Sequence, residues 1–155
     1  HLLSRRQRQM CIRDRYYMSG EMYKDISILE HIVKYCNMVE HSVERFGADY
    51  NTFMNDEDYK NSVSMCILQV GELVNHLSSD FKNSHKDIPW SAIVGMRNHF
   101  AHGYLEMDIS EIWNTVNNDM PEIKQYCDDV LNQVFGNDDE TLNEEKPELD
   151  EDWEL

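Results

Sequence analysis

Residues 63–81 read VSMCILQVGELVNHLSSDF, and the spacing of their apolar positions decides the fold. Val63, Ile67, Val70, Val74, Leu77 and Phe81 recur at alternating four- and three-residue steps, which lays them along one face of a helix. The two-residue alternation of a half-buried strand does not occur there. The stripe is close to a heptad seam, so the segment predicts one long amphipathic helix that docks on neighbours of its own kind. Asn55-Asp56-Glu57-Asp58 stand just before it, and their carboxylates suit the positive end of a helix dipole.

Upstream, Leu29, Ile32, Val33, Cys36, Val39, Val43 and Phe46 repeat the pattern in a first helix that runs from Met22 until Gly47 stops it. Downstream, residues 83–87 form a polar loop. Asp87-Ile88-Pro89-Trp90 then opens a short third helix, about Pro89 to Ala101, because the fixed φ of proline suits a first turn. Asp108-Ile109-Ser110-Glu111 is a D-x-x-E capping box ahead of Ile112, Trp113, Val116, Met120, Ile123, Cys127, Val130, Leu131 and Val134. Pro121 falls inside this fourth helix and predicts a kink or a break there. The expected architecture is all-α, an up-and-down four-helix bundle over residues 18–135.

The chain has 155 residues and a formal charge of -16, which suits one modest core and a surface that repels polyanions over most of its area. That charge is unevenly spread. Residues 1–17 carry five Arg and one Asp (+4), residues 136–155 carry ten acids and one Lys (-9), and the middle holds -11. The basic leader has neither helical nor strand periodicity and reads as a translated adapter fragment, with Met18 or Met22 as the natural start. A nucleic-acid arm is its functional alternative. Residues 136–155 have too few apolar positions to offset their ordering entropy, and read as a disordered acidic tail.

Cys11, Cys36, Cys66 and Cys127 form no C-x-x-C pair, and three of them fall in apolar stretches, which reads as reduced core thiols in a cytoplasmic protein. No apolar run reaches the roughly 20 residues that span a bilayer, so no membrane partner is expected. His31, His41, His76 and His85 have neither H-x3-H nor H-E-x-x-H spacing, and no glycine-rich phosphate loop occurs. No metal and no cofactor are therefore expected.

The densest group of chemically capable side chains is Gly95-Met96-Arg97-Asn98-His99-Phe100-Ala101-His102-Gly103-Tyr104. Five residues of ideal helix turn Arg97 and His102 about 140° apart, so both face one substrate only if the helix ends near His102, where Gly103 supplies a stop. The partial negative charge of last-turn carbonyls favours an imidazolium and tunes His102 toward acid or base work. Arg97 offers a permanently charged planar fork to phosphate oxygens, and Asn98 adds a neutral donor and acceptor. This set suits phosphodiester cleavage better than acyl transfer.

The motif Arg97-x4-His102-x-Tyr104 resembles the signature of the HepT-like toxins of the HEPN superfamily. Val70-Gly71-Glu72-Leu73 is similar to the second-helix Gly-Glu element of that family, and Ile88-Pro89-Trp90 with residues 93–98 resembles the lead-in to its active site. Residues 113–123 resemble the start of its last long helix, so the resemblance covers about residues 22–134. It implies a homodimeric, metal-independent endoribonuclease toxin, with Arg97 and His102 catalytic and RNA, not DNA, as substrate. It further implies neutralisation by a cognate minimal nucleotidyltransferase that transfers AMP to Tyr104. His99 and Phe100 stand where the family commonly has an aliphatic pair, which leaves the part of His99 open.

Read without the resemblance, Arg97 and His102 are an ordinary cap and a solvated charge, and Tyr104 is a packed aromatic. Glu72 belongs to a polar face, either solvated or reaching Arg97 from the neighbouring helix. The competing function is a non-catalytic helical adaptor dimer that binds a nucleotidyltransferase, favoured by the acidity of the middle segment. Dimerisation is expected on two grounds: one Arg97 and one His102 make a sparse site, and the seam of the second helix exceeds what one small bundle would bury.

Overall fold

Gly47 ends the first helix as its sequence position requires. Its φ of 106° lies in the left-handed region open to glycine, and its N–H closes the last turn on the Val43 carbonyl at 2.9 Å. The structure, a computed structural model, describes residues 20–103 and 108–136; of Ala101, His102, Gly103 and Gly136 it describes the backbone alone. The basic leader, most of the acidic tail and Tyr104 lie outside the described residues. Every described element is helical. They are α1 (Gly20–Phe46), α2 (Tyr50–Asn55), α3 (Glu57–Asn75), α4 (Ser79–Ser84), α5 (Trp90–Gly103), α6 (Ile109–Asn114) and α7 (Met120–Gly136), with a π-turn at Thr115–Asp119 joining the last two.

Short polar side chains set the boundaries. Asp49 caps α2 by accepting from the Thr52 N–H at 2.8 Å, and Asp56 caps α3 by accepting from Tyr59 at 2.9 Å. The second predicted helix differs from expectation: it ends at Asn75, and α4 begins after Ser78, whose hydroxyl accepts from the Phe81 N–H at 3.1 Å. Ser78 is in turn held by buried Asp25 of α1, through its N–H at 2.8 Å and its hydroxyl at 2.5 Å. A hydroxyl that satisfies orphan helix donors outweighs one more turn of a continuous helix here, while Leu77 still reaches the core across the break. α2 was not foreseen; its one core anchor is Phe53, fully buried against Tyr59 and Trp113. The third predicted helix runs two residues further than expected, to Gly103.

The interruption expected at Pro121 is the π-turn. Met120 donates to the Thr115 carbonyl, five residues back, and Pro121 then sits in the first turn of α7, where its missing N–H costs no intrahelical bond.

Four long helices make the bundle, with α5, α3, α1 and α7 in contact in that order. Ser42 near the end of α1 meets Ser62 early in α3 at 3.0 Å, and Asp25 early in α1 meets Ser78 beyond the end of α3, so α1 and α3 run antiparallel. Val63, Ile67, Val70 and Val74 are fully buried inside the single chain. The seam of the second helix is therefore satisfied intramolecularly, and the expectation of a dimer loses that ground. The fourth side, between α5 and α7, closes on a cleft rather than on a packed seam. Cys36, Cys66 and Cys127 are free and buried; burial pushes the Cys36 thiol up to about 12 and raises the other two. No helix among the described residues is long and apolar enough to cross a membrane.

Candidate active site

The site rests on the crossing of α3 and α5, and Gly71 sets how close they come. A Cβ placed on Gly71 would stand 2.2 Å from the Cβ of Arg97, a distance that real carbon atoms do not adopt. The glycine thus lets the backbone of α3 lie directly under Arg97. One residue on, Glu72 is where its carboxylate can reach the guanidinium: Oε2 lies 2.8 Å from Nη2 of Arg97. The other carboxylate oxygen faces Nε2 of His76, one helical turn away, at 3.3 Å. Asn98 completes the clasp, its Oδ1 accepting from Nη1 of Arg97 at 2.9 Å.

Arginine carries five N–H donors in a rigid fork. Among the described residues, Glu72 and Asn98 engage two of them and leave three to address phosphate oxygens. Arg97 and Glu72 are each more than a third exposed, so the pair contributes little to stability and its effect is orientation. The sequence left two readings of Glu72, and the structure selects the one in which it reaches Arg97.

His102 lies in the last turn of α5, and Gly103 is the final helical residue, close to the stop that was expected. Helical backbone nonetheless continues through position 102, so the 140° offset from position 97 stands at the level of the helix cylinder. His99 is exposed and lines the α5–α7 cleft, on a different flank of α5 from Arg97. No three His, Cys, Asp or Glu side chains among the described residues are grouped so as to hold a metal ion.

The ribonuclease HepT-like family matches residues 28–130, a span that includes Gly71, Glu72, Arg97, Asn98 and His102. The chain belongs to that family. It is accordingly a ribonuclease. A relative from Caldanaerobacter subterraneus, an RNase by name, is 28% identical over 103 residues that cover 66% of this chain and 90% of its own. One from Methanocaldococcus jannaschii, also an RNase by name, is 29% identical over 94 residues, 61% of this chain and 78% of its own. A ribonuclease HepT by name, from Thermococcus cleftensis, is 31% identical over 75 residues, 48% of this chain and 68% of its own. No solved structure matches the chain.

Proposed function

We propose that this ribonuclease is a metal-independent endoribonuclease that serves as the toxin of a toxin–antitoxin pair, with Arg97 and His102 as its catalytic pair. The observation that carries the reading is the guanidinium of Arg97, fixed by Glu72 and Asn98 with donors to spare. His102 takes the proton of a ribose 2′-hydroxyl, and the 2′-oxygen attacks the adjacent phosphorus. The 5′-oxygen leaves and is protonated, giving a 2′,3′-cyclic phosphate and a 5′-hydroxyl end. Arg97, with Asn98 beside it, stabilises the charge that gathers on the phosphorane. Glu72 is a positioning residue, holding the fork that receives that charge.

Two copies complete the working enzyme. The 140° offset between positions 97 and 102 keeps a single straight helix from directing both at one phosphate, and a two-fold pairing that sets two motifs in one cleft removes the difficulty. The cognate partner is a minimal nucleotidyltransferase that transfers AMP to Tyr104. An added phosphate two residues past His102 would occupy the fork that RNA needs, through a charge-assisted contact with Arg97.

The deciding experiment combines growth, product analysis and mass. Expression of the chain should arrest growth, and Arg97→Ala or His102→Ala should each relieve the arrest. Purified enzyme should leave 2′,3′-cyclic phosphate ends, cleave no all-2′-deoxy substrate and keep its activity in EDTA. Co-expression with the neighbouring nucleotidyltransferase should add one or more AMP masses that vanish in Tyr104→Phe. Loss of activity in EDTA would sink the mechanism, and activity retained by a monomer in light scattering would sink the two-copy site.

A further inference from the structure

The seam between α5 and α7 holds a cleft of about 540 Å³, within the roughly 300–1,000 Å³ of ordinary ligand sites. Its floor is apolar, where Ile93, Met96 and Phe100 of α5 face Ile123 of α7. Its rim is acidic, with Glu111 on α6, Asp119 on the π-turn and Glu122 on α7. Among the described residues neither Lys nor Arg lines it, and His99 stands exposed in its wall. Thr115, only 7% exposed, also lines the cleft. The π-turn that carries Thr115 and Asp119 is itself a device found often at functional sites.

From this we infer that the cleft docks a basic amphipathic segment of a protein partner, with its apolar side chains on the floor and its Lys or Arg side chains against the three rim carboxylates. Charge complementarity chooses the occupant. A phosphate-bearing ligand, RNA included, would meet three carboxylates at the rim with no Lys or Arg among the described lining residues to compensate them. A cationic segment is drawn both by the rim and by the field of a chain whose net charge is -16. The α5 wall from Trp90 to Phe100 is about 16 Å long at 1.5 Å per residue, the length of about three helical turns. That matches the recognition of an amphipathic helix in a groove, with anchors at i, i+3, i+4 and i+7. The residues named here are distinct from Arg97, Glu72 and Asn98, and scoring RNA cleavage separately keeps the docking reading apart from the catalytic one.

The test uses the full chain and a fluorescein-labelled 12-residue probe helix with Leu at i, i+3, i+4 and i+7 and Lys on both flanks. Two companion probes carry Glu for every Lys, or Ser for every Leu. Anisotropy titrations at physiological salt should show the Lys/Leu probe binding at least tenfold tighter than either companion. Ala92→Trp fills the cleft from an exposed position, and Glu122→Lys reverses one rim charge at another. Each should weaken the Lys/Leu probe at least tenfold and leave RNA cleavage unchanged. Unchanged affinity in both variants would assign the attraction to the general acidic surface and overturn the proposal, as would equal binding of the three probes or no binding. Loss of RNA cleavage in folded Glu122→Lys would put RNA in the cleft and overturn the choice of occupant. Should Ala92→Trp fail to fold by circular dichroism, Glu122→Lys decides alone.

Discussion

Helix α5 has two flanks built in opposite ways. Toward α3 the backbones are so close that a single methyl group on Gly71 has no room, and the side chain that emerges there, Arg97, is gripped by Glu72 and Asn98. Toward α7 the helices stand apart around an open cleft whose wall is a π-turn. Phosphoryl chemistry needs a charge held to within a fraction of an ångström, and packing supplies that precision. Docking a segment needs room and a pattern of charge, and the loose flank supplies those.

The largest effect that separates the flanks is on catalysis. Arg97→Ala should lower kcat/KM on an RNA substrate by about 10²–10³-fold, the usual loss when one stabilising donor is removed. Ala92→Trp, on the cleft flank, should stay within about twofold. Equal losses in the two variants would erase the distinction. The contrast also has a stability form, in two glycines of opposite surroundings. Gly71→Ala must push α3 and α5 apart and should cost about 1–3 kcal/mol in denaturant unfolding. Gly95→Ala meets nothing within 4 Å and should stabilise α5 by about 0.5–1 kcal/mol through helix propensity alone. Destabilisation by both would mean that the cleft flank is packed after all.

Much of this was legible in the sequence because it depends on local pattern. The four long helices follow from three- and four-residue apolar spacing, and Gly47, Asp56 and Asp108 mark ends through conformations and hydrogen bonds made within a few residues. Where long-range partners decide, the sequence was silent. The break at residues 76–78 depends on Asp25, 53 residues away, and α2 depends on an aromatic cluster that joins Phe46, Phe53, Tyr59 and Trp113. Ser78 inside an apolar stripe was the available signal for the break, and Asp49 three residues before Thr52 was the signal for α2. In the site, Arg97 and Asn98 were found as a motif, while the grip of Glu72 needed two helices to be seen together. The cleft needed three elements and a π-turn, none of which leaves a contiguous pattern.

The far wall of the cleft, α7, is held by α1, and pH tests that hold. Cys36 of α1 and Cys127 of α7 are both buried thiols whose ionisation burial opposes, with Cys36 pushed up to about 12. In the unfolded chain these thiols lose their protons near the ordinary value of about 8.5. Between there and about 12 the folded state binds more protons than the unfolded state, so stability must fall as pH rises through that window. The urea midpoint should therefore drop from pH 8 to pH 11, and less steeply in a Cys36→Ala/Cys127→Ala double variant. An unchanged slope would place the alkaline sensitivity elsewhere. Native thiols should also resist alkylation at pH 8 until the chain unfolds.

A smaller effect sharpens the account of the tight flank. Glu72→Gln keeps a hydrogen-bond acceptor for Arg97 but removes its charge, whereas Glu72→Ala removes both. If Glu72 acts by orienting the fork, kcat should fall about tenfold in the alanine variant and recover in the glutamine variant, with KM nearly constant in each. A fall of the same size in both would shift the role from orientation to charge.

The smallest expected effect concerns a bridge on the loose side. Lys124 of α7 reaches both carboxylate oxygens of Glu40 on α1, at 2.9 and 2.7 Å, and the hydrogen bond to Glu40 raises the Lys124 ammonium above its ordinary range. The Lys124 side chain keeps a quarter of its surface exposed and that of Glu40 about half, so water and salt screen most of the attraction. Lys124→Ala should therefore cost about 0.2–1 kcal/mol, and less in 0.5 M salt. Because the folded ammonium holds its proton more tightly than the unfolded one, this contribution is present at neutral pH and is lost only as pH rises past the raised value. A cost well above 1 kcal/mol, or one insensitive to salt, would show that α7 hangs on this bridge. With a small, screened cost, the wall is held by its buried face, where Met120, Ile123 and Cys127 enter the core. Those residues lie on the side of α7 that a docked segment does not need, apart from Ile123, which serves both. Ile123→Val is then the substitution at which stability and docking should fall together.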